Sequence, residues 1–149
     1  MKHAKVLEDF KAPVKLKLSA LWASLMFCYI YGDYFGLYVP GALQSMLDGR
    51  MGPLGPTTQG VLLGTSVLMA IPSLMPFLVL ALKPSVLRPL NIVLGLAYTI
   101  IMAISMPDAW RFYQMLGVVE IVLTLLIVGY AWAWPRARAS SDDVDMATG

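Results

Sequence analysis

Cysteine, histidine and charged residues are all scarce in this 149-residue sequence. Cys28 is the only cysteine and His3 the only histidine, so an internal disulfide, a thiolate metal site and a histidine-based triad all lack their residues. Charged residues make up 13% of the chain, against about 25% in soluble domains. A nucleophile paired with a base and a glycine-rich phosphate loop are also missing. The sequence therefore predicts no metal, no cofactor and no enzymatic activity.

Apolar residues take the place of the missing charge. They make up 58% of the sequence, and the mean hydropathy is +0.70. A soluble core of this size cannot bury so much apolar surface, whereas a bilayer accommodates it in helices of about 20 residues. Four apolar runs predict an all-α, four-helix transmembrane bundle, with spans at about 18–39, 61–82, 90–106 and 112–134.

The segments outside these runs are short. Residues 1–17 are predicted to form a basic cytoplasmic arm, and residues 18–135 the membrane domain. Residues 136–149, rich in Ser, Asp and Ala, have little to bury and are predicted to be a disordered tail.

Proline and glycine mark the second run. Pro72 and Pro76 share one helical face, and each leaves the carbonyl one turn earlier without its usual donor, which predicts a kink. Hydroxyls such as that of Ser73, or a neighbouring helix, are expected to satisfy these carbonyls. Gly60 and Gly64 form a small-xxx-small pattern that lets another helix approach closely.

Lysine and arginine are unevenly divided between the two ends of the predicted bundle. Nine lie on the side of the termini and two on the side of the 41–60 connection. The nine are Lys2, Lys5, Lys11, Lys15, Lys17, Lys83, Arg88, Arg136 and Arg138, and the two are Arg50 and Arg111. By the positive-inside rule, both termini are predicted to be cytoplasmic in a multi-pass protein of the cell (inner) membrane. The basic residues form no face with interleaved aromatics, so no nucleic-acid partner is expected.

Two acids interrupt the apolar spans, Asp33 in the first and Glu120 in the fourth. Acids at membrane depth are costly, usually face protein or a water cavity, and often mark functional sites. The helical rise predicts nearly equal depths for the two. If the first and fourth helices are neighbours, one outward-facing pocket is predicted to contain Asp33, Glu120, Tyr29, Tyr113 and Gln114. Paired carboxylates in a medium of low dielectric constant favour a proton or a cationic solute.

The same acids also have a structural interpretation, as contacts between helices that are worth about 0.6 kcal/mol on average. Their candidate partners are Arg50 and Arg111 for Asp33, and Tyr98, Thr99 or a backbone carbonyl for Glu120. Two hypotheses about function follow. In the first, an oligomer binds or moves a proton, a cation or a small apolar solute through the pocket. In the second, a non-catalytic module assembles with a partner membrane protein whose basic or polar residues meet the acids.

Three segments resemble recurring parts of a family of bacterial integral membrane proteins of unknown function. They are Lys17-Leu18-Ser19-Ala20-Leu21-Trp22, Tyr31-Gly32-Asp33-Tyr34-Phe35 and Pro40-Gly41. The resemblance spans residues 15–135 and implies no activity; in topology alone, the chain also looks like the four-helix DoxX-type proteins. Small multidrug exporters share the helix count and an acid in the first helix. The aromatic surroundings of Asp33 and the second acid, Glu120, argue against their substrate site.

Overall fold

The computed structural model of the protein describes residues 10–135, which are helical apart from turns and loops. Its α-helices are α1 (Val14–Gly36), α2 (Ala42–Leu47), α3 (Gln59–Ala81), α4 (Pro84–Ser105) and α5 (Arg111–Trp132). The four long helices have 22 or 23 residues each. At about 1.5 Å per residue, each measures about 33 Å and can cross a hydrocarbon layer of about 30 Å. The prediction of an all-α fold with four helices able to span a membrane is confirmed.

The bounds of the helices differ from the predicted spans most clearly in α4, which begins at Pro84 rather than near residue 90. Proline fits the first turn of a helix because its missing N–H would have no partner there. α1 begins at Val14, directly after Pro13, and ends at Gly36 rather than at residue 39. Residues 1–9 of the predicted arm and the predicted disordered tail at 136–149 lie outside the described residues.

The order of packing places α1 between α3 and α5, with α4 on the other side of α5. The first and fourth spans are therefore neighbours, which is the condition for a pocket shared by their acids. Although a short turn joins α3 to α4, these two helices have no comparable contact among the described helix pairs. The seam between α3 and α4 is thus less closely packed than the other interfaces.

Buried apolar side chains concentrate near the ends of the helices that lie towards the chain termini. We call this part the terminal half; it comprises residues 14–25, 72–81, 84–95 and 123–132. Its buried apolar residues are Leu18, Trp22, Leu25, Met75, Val79, Leu87, Ile127 and Ala131. The opposite part, the loop half, carries the connection from α1 to α3. No residue of α3 before Pro72 is buried, so the bundle is tight in the terminal half and looser in the loop half.

A polar pair, Trp22 and Asn91, lies within the apolar core. Asn91 is fully buried; its Oδ1 accepts a hydrogen bond of 2.7 Å from Trp22 Nε1. The Asn91 Nδ2 donates to the Leu87 carbonyl at 2.8 Å. The carbonyl and amino groups of the buried amide are therefore both paired. The pair joins α1 to α4, which are not adjacent in the packing order.

Trp22→Phe is expected to lower the free energy of unfolding by about 1–2 kcal/mol, because it leaves the buried Asn91 Oδ1 without its donor. Adding Asn91→Leu should recover much of that loss, since the orphaned polar group is then removed. Chemical unfolding in detergent, followed by circular dichroism for the single and double variants, measures the coupling. Strictly additive losses would show that the hydrogen bond contributes nothing measurable.

Candidate functional site

A cavity of about 80 Å³ lies in the loop half, among α1, α3, α4 and α5. Its lining residues are Tyr29, Gly32 and Asp33 of α1, Leu68 and Met69 of α3, Tyr98, Ile101, Met102 and Ser105 of α4, and Tyr113 and Glu120 of α5. The structure thus brings together four of the five residues predicted to form the pocket. The volume is sufficient for a few water molecules.

The register between α1 and α5 sets the depths of the two acids. Phe35 packs edge-to-face on Phe112 with ring centroids 6.3 Å apart, and a Cβ atom added at Gly32 would lie 3.7 Å from Leu116 Cδ1. In this antiparallel register Glu120 is level with Cys28, so it lies about 7.5 Å deeper than Asp33. The sequence predicts nearly equal depths because the apolar run reaches residue 39, whereas α1 ends at Gly36 and leaves Asp33 in its last turn.

Glu120 is at the deep end of the cavity and is only 3% exposed. Its Oε2 atom is buried and has no hydrogen-bond partner among residues 10–135. The hydroxyls predicted as its partners are engaged elsewhere, because Tyr98 donates to the Leu68 carbonyl and Thr99 to Gly95 and Thr124. Buried carboxylates are normally paired, and an unpaired one is costly. Glu120 is therefore a buried polar group whose hydrogen bonding calls for an explanation.

Asp33 is exposed and lines the cavity nearer the loop end of the bundle. Within residues 10–135 it has no ion-pair partner, so neither Arg50 nor Arg111 neutralises it as the structural interpretation supposed. The two acids consequently differ in role. Asp33 is accessible from outside the bundle, and Glu120 is enclosed.

Two tyrosines line the cavity together with these acids, Tyr29 from α1 and Tyr113 from α5, and both are partly buried. In the described part of the chain, the tyrosine hydroxyls that form hydrogen bonds belong to Tyr34, Tyr38 and Tyr98. The hydroxyls of Tyr29 and Tyr113 are therefore available to a bound species. A phenol hydroxyl both donates and accepts, so it can contact a cation, a water molecule or a carboxyl group.

Gln114 is the predicted pocket residue that does not line the cavity. Its Nε2 donates to the carbonyls of Met106 and Pro107, at 3.3 Å each. These carbonyls end α4, and the amide of Gln114 fastens that end to the start of α5. One residue along a helix turns a side chain by about 100°, which directs Gln114 away from the face of Tyr113.

Tyr98 is a cavity residue that the sequence pattern indicated only indirectly. Its hydroxyl donates to the carbonyl of Leu68, the group that Pro72 leaves without a backbone donor. The sequence predicts that either a hydroxyl such as that of Ser73 or a neighbouring helix satisfies the freed carbonyl. At Leu68 it is the neighbouring helix, α4, that does so. Ser73 does not, since its hydroxyl donates to the Met69 carbonyl and contacts Met26 Sδ at 3.7 Å.

The chemistry available in the cavity is that of oxygen groups: two carboxyls, the phenols of Tyr29 and Tyr113, and the Ser105 hydroxyl. The Tyr98 phenol is already bonded to the Leu68 carbonyl. The residues that the structure describes contain no cluster of three or more His, Cys, Asp or Glu side chains suited to a metal ion. The arrangement can hold a proton, a water molecule or a small cation between groups of differing acidity.

The sequence matches the model of a family of unknown function, DUF6326, over residues 4–141. No curated protein shows significant similarity to the chain. No solved structure does so either. The likeness to DoxX-type proteins remains one of helix number. Because the family match covers nearly the whole sequence, including all four long helices, the chain belongs to the DUF6326 family of unknown function.

Proposed function

We propose that this protein binds a proton or a small cation at Glu120, which the species reaches through the cavity past Asp33. The observation that carries the proposal is the enclosed, unpartnered Glu120 carboxyl group facing a polar cavity. A buried carboxylate without a counter-charge gains the most from taking up a positive charge. Asp33, which is exposed and has no ion pair within the described residues, adds negative potential at the entrance and attracts cations.

The size of the cavity limits the ligand. Sites for drug-sized molecules occupy about 300–1,000 Å³, whereas this cavity measures about 80 Å³. This difference argues against the multidrug substrates suggested by the comparison with small exporters. A proton, a bare or partly hydrated alkali cation, and a few water molecules all fit.

The proposal concerns binding, and movement across the membrane would require a further rearrangement. The buried side chains of Leu18, Trp22 and Leu25 fill the terminal half below the cavity. The loop half is therefore the side from which a polar species would approach Glu120. In keeping with the distribution of Lys and Arg, we propose that the termini face the cytoplasm and the loop half faces outward.

Assembly with a partner is the weaker alternative for these acids. It requires basic or polar partner residues to meet both carboxyl groups, yet Glu120 is 97% enclosed by its own chain. Asp33 alone is placed to meet another protein. A homo-oligomer with intact cavities remains compatible with the proposed binding.

The test is proton release on addition of NaCl or KCl to the purified, detergent-solubilised protein in weakly buffered solution, followed with a pH indicator dye. Choline chloride at the same ionic strength serves as the salt control. The wild type is expected to release up to about one proton per chain, because a cation at Glu120 displaces the proton there. Glu120→Gln should release none. Asp108→Asn, which removes a carboxyl group outside the cavity lining, should behave like the wild type.

The two ligands are separated by the infrared C=O stretch of a protonated carboxyl group. If neither salt releases protons, but this band titrates in the wild type and is missing in Glu120→Gln, the ligand is the proton alone. If the band is unchanged by Glu120→Gln and no salt releases protons, Glu120 binds neither species and the proposal is wrong.

A further inference from the structure

The loop-half segment of α3, residues 59–71, is attached to the bundle differently from the rest of that helix. On the terminal side of Pro72, the side chains of Lys15 and Ser19 in α1 donate hydrogen bonds to α3. Lys15 Nζ donates to Leu80 O at 3.2 Å and Leu82 O at 2.7 Å, and Ser19 donates to Pro76 O at 2.9 Å. These bonds, together with the buried Met75 and Val79, fix the terminal segment.

On the other side of Pro72, the attachment is weaker, although Leu68 packs there against the buried core. Residues 59–71 include no buried side chain. Within the described part of the chain, the side-chain hydrogen bond that ties this segment to another helix is that from Tyr98 to Leu68. The bond exists because Pro72 frees the Leu68 carbonyl, and the same proline removes a backbone bond that would stiffen α3 at this point. Weak attachment and a weakened helix therefore coincide at one residue.

This segment forms one wall of the cavity. Leu68 and Met69 face Ile101 and Met102 across the seam between α3 and α4. Tyr98 closes the seam at the deep end, where its ring packs edge-to-face on Trp22 with centroids 6.2 Å apart. The Tyr29 ring also lies against the Tyr98 ring, with centroids 6.3 Å apart. The Tyr98 ring is thus packed on two rings of α1, and its hydroxyl is bonded to α3.

We infer that Tyr98 is the positioning residue that keeps the cavity closed, and that residues 59–71 swing away from α4 about Pro72 to admit a cation or water to Glu120. The inference rests on the proposed function for the identity of the ligand, but the opening itself is independent of it. Loss of one net hydrogen bond should raise the open population about fivefold to tenfold. Because the Tyr98 hydroxyl donates to the Leu68 carbonyl and not to the Glu120 carboxyl group, the affinity of Glu120 for its ligand should be unchanged by Tyr98→Phe.

The test measures the rate at which a thiol reagent labels single introduced cysteines, which is simple here because Cys28 is the only native cysteine. In a Cys28→Ala background, Met102→Cys introduces one thiol in the cavity wall, and Met75→Cys introduces one in the terminal core as a control. The probe is the small cationic reagent 2-aminoethyl methanethiosulfonate. Tyr98→Phe is expected to raise the rate of labelling at position 102 by about fivefold to tenfold and to leave position 75 unlabelled.

Equal labelling rates at position 102 with and without Tyr98→Phe would overturn the inference. A parallel rise at positions 102 and 75 would also overturn it, since Tyr98 would then merely stabilise the fold. If Tyr98→Phe accelerates labelling at position 102 alone while salts release no protons from any form of the protein, the proposed function fails and the opening stands. If the proposed function and the opening both hold, Tyr98→Phe should speed proton release. It should not change the salt concentration at which half of the protons are released.

Discussion

Glu120→Met should make the protein more stable and at the same time abolish cation-linked proton release. Methionine has a similar length and no charge, so it removes the unpartnered Oε2 without creating a large void. Removing a buried, unsatisfied polar group is worth about 1–3 kcal/mol. Thermal unfolding in detergent, followed by circular dichroism, measures the gain. Such a gain is expected of a residue retained for function at the expense of stability.

The matched control for this prediction is Val118→Met on the same helix. Val118 is exposed on the bundle surface, where valine and methionine both contact detergent through apolar groups. The temperature of unfolding should therefore be unchanged. If Glu120→Met destabilises the protein instead, Glu120 has a stabilising partner that the geometry does not reveal. The structural interpretation of the acid would then be the better one.

The helices could be predicted from the sequence because a chain that crosses a bilayer must pair its backbone polar groups internally. Long apolar runs must form helices, and charged or proline-rich segments end them, so four spans followed from composition and length. The bounds were less certain. The predicted third span began near residue 90 because Arg88 and Pro89 interrupt the apolar run, but proline at Pro84 starts a helix readily and Arg88 reaches the Trp132 carbonyl at 3.3 Å.

The pocket was predictable in its acids and tyrosines, and less so in its depth and its walls. Acids in apolar spans are rare enough to be noticed individually, and neighbouring helices bring them together. Which residues stand level depends on the register between helices, which is decided by contacts such as that of Phe35 with Phe112. No single-helix pattern contains that information. Asn91 likewise carried no signal, since its partner Trp22 is remote in sequence.

Gly95→Leu should lower the free energy of unfolding by about 3 kcal/mol or more, a large share of the 5–15 kcal/mol typical of a folded domain. A Cβ atom at position 95 would lie 2.7 Å from Val128 Cγ2 and 3.2 Å from the Thr124 carbonyl oxygen. The second contact is with backbone, which cannot turn aside, so α4 and α5 must separate. Unfolding by heat or denaturant in detergent measures the loss.

The separation of α4 from α5 should also disturb the cavity at Glu120. This effect on the site would not be expected if the variant only overpacked the helix interface. Thr99 donates to Thr124 Oγ1 at 2.7 Å, one turn from Gly95, and Thr124 donates to the Glu120 carbonyl at 2.9 Å. Gly95→Leu should therefore impair proton release from Glu120 even under conditions where the protein stays folded. Gly64→Leu is the matched control, because a Cβ atom there meets nothing within 4 Å. Equal stability of the two variants would show that the close approach of α4 and α5 at Gly95 does not constrain the bundle.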